Sequence, residues 1–309
     1  NVHFYAFRPL QKLRLKLWDY YAITTPTHFC SFTVSDIGYL GMVFAYVIDF
    51  KTGAFKEETL ALPFGGGVKL PRNSTEGVTE YSKKDLYLRF RAEGEVRQLS
   101  IRWPGFGGSA LNAEVALTCP ADHESMNIVI PIPGKRFYYN RKVNCMPAEG
   151  WVEYQGTRHL IEPTTCLGSL DWGRGVWEYS SFWVWASASG FLPDRRRIGL
   201  NMGYGFGDTS AATENCFILD GKVHKLSELK FTYDNRNFKA PWTMSSPDGR
   251  LELVFTPFFE RVAKIDALVL KSEVHQLIGR YNGKVITDTG EKLEIVDLIG
   301  WAEEHNAKW

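Results

Sequence analysis

Leu86-Tyr87-Leu88-Arg89-Phe90 decides the fold, because apolar and polar residues alternate one for one. That period puts every second side chain on one face of an extended chain, as in a strand with one face against a core and one in water. The same period recurs in Leu13-Arg14-Leu15-Lys16-Leu17, Leu99-Ser100-Ile101-Arg102-Trp103 and Leu251-Glu252-Leu253-Val254-Phe255. Between such runs lie Lys51-Thr52-Gly53, Asp220-Gly221, Pro247-Asp248-Gly249, Asn282-Gly283 and Thr289-Gly290, which suit hairpin turns. The helical spacing is met best by Phe258, Phe259, Val262, Ile265 and Leu268, but Leu268-Val269-Leu270 reads equally as strand and the region is assigned to strand. An all-β chain of antiparallel sheets with few short helices follows.

The 309 residues, 44% hydrophobic, suffice for two cores. A cluster of Pro147, Gly150, Gly156, Pro163, Thr164 and Thr165 suggests a boundary, giving expected domains 1–163 and 164–309. Closing a sheet hides its edges, and a barrel of about eight strands leaves room for one small ligand. No internal repeat of solenoid length is visible.

With 36 basic and 35 acidic residues the chain carries a net charge of +1, which disfavours nucleic acid as a partner. The most apolar stretch, near Ile37 to Phe50, is broken by Gly38, Gly41 and Asp49, too short a run for a membrane span. Five widely spaced cysteines resemble neither a disulfide framework nor a zinc site, so a cytoplasmic or other reducing compartment is expected. Asn73-Ser74-Thr75 is a glycosylation pattern of little weight, and the opening at Asn1 leaves targeting unread.

Three stretches carry candidate chemistry. In Asp171-Trp172-Gly173-Arg174-Gly175-Val176-Trp177-Glu178 an acid and a guanidinium sit among indoles. Alternation sends either Asp171, Gly173, Gly175 and Trp177 or Trp172, Arg174, Val176 and Glu178 inward, and only a bulge at the glycines admits both sets. The competing structural reading is an Asp171–Arg174 ion pair with core tryptophans. In the second stretch, Asn201 to Asn215, glycines alternate with aromatics before Asp208, Glu214 and Asn215. Its Gly-x-Gly-x-Gly lacks the lysine and helix of a phosphate loop; the glycines instead suit a bend or a close ligand, with Glu214 as acid/base and Asn201, Asp208 and Asn215 as binding groups. A turn closed by Asp208 and Thr209 with a solvated Glu214 explains it equally well. In the third, Glu303-Glu304-His305, a carboxylate beside an imidazole makes a general-base pair, although charged clusters near chain ends are commonly only solvated. Trp18-Asp19-Tyr20-Tyr21 is similar in flavour, with core packing around one satisfied carboxylate as the default.

No nucleophile elbow, His-Glu-x-x-His, Cys-x-x-Cys or dinucleotide fingerprint occurs, which disfavours the common hydrolases, zincins and Rossmann enzymes. Seven scattered histidines suggest no metal site, and no cofactor is expected.

Leu170–Trp177, Ala186-Ser187-Ala188-Ser189-Gly190, Gly205–Asn215, Ser272-Glu273-Val274-His275-Gln276 and Lys16–Tyr21 together resemble the domain-of-unknown-function 2804 family over nearly the whole chain. The resemblance implies a relation to double lipocalin-like barrel proteins, which include carotenoid hydratases and fungal pericyclase-type cyclases, and so a fold of two lipocalin-like β-barrels. It carries no catalytic residue over, since one fold hosts many activities.

The leading expectation is therefore a hydratase, isomerase or cyclase acting on a small apolar or polyunsaturated molecule by acid/base chemistry, with Asp171, Glu214 and His305 as catalytic candidates. Trp172, Arg174, Trp177, Asn201, Asp208, Asn215 and Glu304 are the binding candidates. The alternatives are a non-catalytic small-molecule binder or assembly scaffold, and a glycosidase using Asp171 and Glu214 as its carboxylate pair.

Overall fold

The computed structural model describes residues 12–267 and 270–309. Its regular structure is almost all strand, in two antiparallel sheets. The first has the spatial order β4 (Phe55–Pro63), β3 (Leu40–Asp49), β2 (His28–Asp36), β1 (Lys16–Thr24), β12 (Leu167–Val176), β10 (Arg136–Tyr154), β8 (Ser109–Thr118), β7 (Val96–Phe106), β6 (Leu86–Glu93) and β5 (Gly77–Lys83). Two further strands, β9 (Met126–Ile132) and β11 (Thr157–Ile161), pair with β10. The second runs β16 (Lys222–Lys225), β15 (Cys216–Leu219), β14 (Arg197–Tyr204), β13 (Ser180–Phe191), β21 (Lys292–Lys308), β20 (Leu270–Ile286), β19 (Leu251–Ala267), β18 (Trp242–Ser245) and β17 (Lys230–Thr232).

Each sheet curls as a half-barrel over its own core. Among the described residues the edge strands β4 and β5 do not pair with each other, nor do β16 and β17. The chain divides into one unit of residues up to His123 with Tyr139–Val176, and a second of Glu124–Tyr138 with Trp177–Trp309. The Pro147 to Thr165 region forms the β10–β11 hairpin and the turn into β12.

Period-two alternation places Leu88, Phe90, Leu99, Ile101 and Trp103 in the first core, and Leu251, Leu253 and Phe255 in the second. Three local expectations are corrected. Leu13-Arg14-Leu15 is a turn ahead of β1; its backbone packs so closely on Gly38 that a Cβ there would lie 2.5 Å from the Leu13 carbonyl oxygen. Asn282-Gly283 is no hairpin turn but a register shift inside β20. Gly283 has φ +142°, and a Cβ there would meet the Glu252 carbonyl oxygen at 2.1 Å, so glycine supplies the bulge. Gly173 and Gly175 make no bulge, because β1 and β12 pair without interruption from Lys16↔Gly175 to Thr24↔Leu167. Phe258 to Ile265 lies on β19 as strand.

Candidate functional site

On the second half-barrel, β13 turns Val184, Ala186 and Ala188 into the core. The ladder places Glu304 opposite Val184 and also opposite His275 on β20. Residues opposite one another in an antiparallel pair share a face, so Glu304 and His275 stand side by side on the core-facing side. Glu304 is buried, and its Oε2 accepts the Tyr233 hydroxyl at 2.5 Å while its Oε1 accepts Asn306 Nδ2 at 3.0 Å. Tyr233 leads into a wall of rings. It stacks on Trp242 at 3.9 Å with 10° between planes, and Phe238 stacks on His275 at 4.2 Å. Tyr204, at the end of β14 and 38% exposed, lies 5.2 Å from Phe231 and 6.0 Å from Phe182. The carboxylate thus sits at the inner end of a tyrosine pair whose outer member meets solvent.

Burial, then the Glu304 and Tyr204 hydrogen bonds, raise the Tyr233 pKa well above the ordinary phenol value. Tyr233 therefore keeps its proton and offers it to Glu304. His275 Nδ1 meets Glu260 Oε1 at 2.9 Å and its Nε2 lies 3.5 Å from Glu273 Oε1. A carboxylate with a proton-bearing phenol, beside an imidazole held by carboxylates and walled by aromatic rings, can move protons on an apolar guest.

The opposite face of the same strands carries other predicted residues. His305 Nε2 pairs with Ser272 Oγ at 2.8 Å and its ring lies 4.0 Å from Trp183. Burial, with a contribution from Arg261, pushes its pKa down to about 3, so the imidazole stays neutral. Adjacent along β21, Glu304 and His305 point to opposite faces and form no pair. Asn201 accepts Trp185 Nε1 at 2.8 Å and donates to the Glu214 carbonyl oxygen at 2.9 Å and to Glu214 Oε2 at 3.3 Å. Glu214 is buried rather than solvated. Asn215 accepts Gly203 N–H and donates to the Ser227 carbonyl. Asp208 is exposed, capping a turn through Ser210 N–H and Oγ. Trp177 is buried against Tyr138 at 5.1 Å and Trp309 at 6.0 Å.

In the first half-barrel β12 directs Trp172, Arg174 and Val176 to the same side as Asp19 and Tyr21, and Asp171 to the other. The Asp171–Arg174 ion pair is therefore not formed. Asp171 instead holds Lys142 Nζ at 2.8 Å and Asn140 Nδ2 at 2.6 Å, whereas Arg174 lies over the Trp172 ring at 4.0 Å and donates to the Pro71 carbonyl. Asp19 is fully buried, accepts Thr79 Oγ1 at 2.6 Å, and is raised by burial to about 6.

Among the described residues no group of His, Cys, Asp and Glu is arranged to hold a metal ion, and no helix is long and apolar enough to cross a membrane. None of the five cysteines is in a disulfide.

The family described as "Domain of unknown function (DUF2804)" matches residues 2–309. The chain belongs to the DUF2804 family. No curated protein matches. Among solved structures, kievitone hydratase from Nectria haematococca aligns with a TM-score of 0.51 at 12% identity, covering 94% of this chain and 88% of that one. CghA with Sch210972 aligns with a TM-score of 0.58 at 9% identity, covering 95% and 88%, and CghA alone with 0.56 at the same identity and coverage. At such identities the likeness shows the fold, a double lipocalin-like arrangement of half-barrels.

Within this DUF2804 member the site joins residues that sequence reading left apart. Tyr233 falls in the turn-rich Tyr233-Asp234-Asn235-Arg236-Asn237 stretch, which has no period to mark it. His275 sat in a family-like motif without a role. The detectable signal was alternation along β21, which separates Glu304 from His305 and sends Glu304 to the core side.

Proposed function

We propose that this DUF2804 protein is a hydratase, isomerase or cyclase that acts on a small apolar or polyunsaturated molecule by proton transfer, on the core-facing side of the second half-barrel. The observation that carries this reading is the 2.5 Å hydrogen bond from Tyr233 to the buried Glu304 carboxylate, set among stacked rings. Glu304 is the proton acceptor or donor, Tyr233 and Tyr204 pass the proton toward solvent, and His275 with Glu260 is a second acid/base pair on the same face. Ring faces bind an apolar guest and favour developing positive charge on it. The half-barrel relatives include a protein named as a hydratase and one crystallised with a small molecule, which supports the choice of reaction class and ligand size.

The test is incubation with a panel of polyenes and apolar phenols in deuterated water, with mass spectrometry of the products. Carbon-bound deuterium, or addition of the elements of water, supports the reading. Unchanged compounds that nevertheless bind support the second reading, a small-molecule binder. That alternative is favoured by Asp171 and Glu214, whose carboxylates are engaged by Lys142 and Asn140 and by Asn201. The same engagement gives a glycosidase pair no support.

A further inference from the structure

The core side of the first half-barrel holds polar atoms that the protein does not satisfy. Arg174 Nη1, Arg97 Nε and Trp172 Nε1 are buried donors without a hydrogen-bond partner, and Asp19 Oδ1 is a buried acceptor without one. All four residues are less than a tenth exposed. They are also neighbours. Asp19 is the cross-strand partner of Trp172, and Arg174, two residues further along β12, lies over the Trp172 ring. Arg97 reaches the Tyr21 hydroxyl at 3.3 Å, and Tyr21 is two residues from Asp19 on the same face of β1.

Leaving one buried polar group unpaired costs about 1–3 kcal/mol, so a cluster of them points to a partner from outside the chain, water or a ligand. The balance of charge says what that is. Arg97 donates to the Ser74 carbonyl and Arg174 to the Pro71 carbonyl, so both guanidinium groups face neutral backbone oxygens. Two carboxylates share their side of the sheet: Asp36, in the same cross-strand row as Arg174, is engaged by the Gly38 N–H, and Asp19, opposite Trp172, takes Thr79 on one oxygen and leaves the other unpaired. Guanidinium forks and an indole N–H suit the oxygens of an anion.

We infer that the core side of the first half-barrel is a second ligand site, separate from the Glu304 site, in which Arg174, Arg97 and Trp172 bind the oxyanion of a small carboxylate or phosphate compound and Asp19 accepts a hydroxyl of the same ligand. The ligand is thus a hydroxylated oxyanion, such as a hydroxy acid or a phosphate monoester.

The probes are inorganic phosphate, lactate and propionate, titrated into the full chain against chloride at matched ionic strength, with tryptophan fluorescence and calorimetry as readouts. Saturable binding of phosphate or lactate is expected, with propionate, which lacks the hydroxyl, at least several-fold weaker; whichever of phosphate and lactate binds more tightly tells the phosphate source from the carboxylate. Arg174→Gln should lose binding at least tenfold, and Asp19→Asn, which removes the opposing negative charge and still accepts a hydroxyl, should tighten it. Asp19→Asn reports the proposal even if Arg174→Gln fails to fold. Absence of saturable binding by the wild type, equal binding by Asp19→Asn and wild type, or a crystal structure soaked in phosphate and lactate with only water at the four atoms would each overturn it.

Discussion

Glu304 and His275 stand opposite one another across the β20–β21 ladder, and each is held by a partner from outside that pair of facing residues: Tyr233 at 2.5 Å for the carboxylate and Glu260 at 2.9 Å for the imidazole. Each side chain is thus oriented by a hydrogen bond of its own, and both stand on the core side.

Replacing Tyr233 with phenylalanine removes the proton carrier but keeps the ring on Trp242. The expected outcome is a fall in turnover of about 10²-fold, the lower end for loss of a general acid/base contribution, with ligand affinity changed by less than about threefold. Steady-state kinetics on a substrate found in the deuterium panel check it. A rise in KM with kcat unchanged would mean that Tyr233 only shapes the wall.

The Lys142–Asp171 contact of 2.8 Å is buried on both sides. Lys142→Met strands the carboxylate and should cost about 3–5 kcal/mol, while Lys142→Met with Asp171→Leu should recover at least half of that. Urea denaturation of both variants measures this. A double variant as unstable as the single one would indicate a role for Asp171 beyond the pair.

A Cβ at Gly203 would lie 2.6 Å from Glu214 Oε1 and 3.0 Å from the Val184 carbonyl oxygen. Gly203→Ala should therefore destabilise the fold by about 1–3 kcal/mol. Combined with Glu214→Ala the losses should be less than additive, since one clash has been removed. Strict additivity in thermal denaturation would show that Glu214 does not pack over Gly203.

Asp19 is raised from the ordinary carboxylate range to about 6, chiefly by burial, against the opposing pull of Thr79, Arg97 and Arg174. The folded chain holds this proton more tightly than the unfolded one. The stability so gained is fully present below the unfolded pKa and is lost as pH rises through about 6. Asp19→Asn should consequently gain on the wild type by about 3 kcal/mol between pH 3 and pH 7. Chemical denaturation at the two pH values decides, and an unchanged difference would refute the assignment.

Much of the fold was legible because period two is a property of neighbouring residues: Leu86 to Phe90 and Leu251 to Phe255 are strands as their alternation requires. Asn282-Gly283 misled because the same dipeptide serves a hairpin or a bulge, and the choice rests on the distant Glu252 backbone. The site was less legible. Glu304 and His305 are adjacent in sequence yet lie on opposite faces, while Glu304, Tyr233 and His275 are distant in sequence and meet only through the ladder and the loop after β17. Asp171 and Arg174, three residues apart on a strand, were bound to diverge by parity alone.

The most direct test of the central claim is carbon-bound deuterium incorporation by Glu304→Gln measured beside Asp171→Asn and the wild type, with ligand binding followed in all three. Proton transfer through Glu304 requires that Glu304→Gln bind its ligand but incorporate no deuterium, and that folded Asp171→Asn retain incorporation within a few-fold of the wild type. Incorporation at the wild-type rate by Glu304→Gln would contradict it.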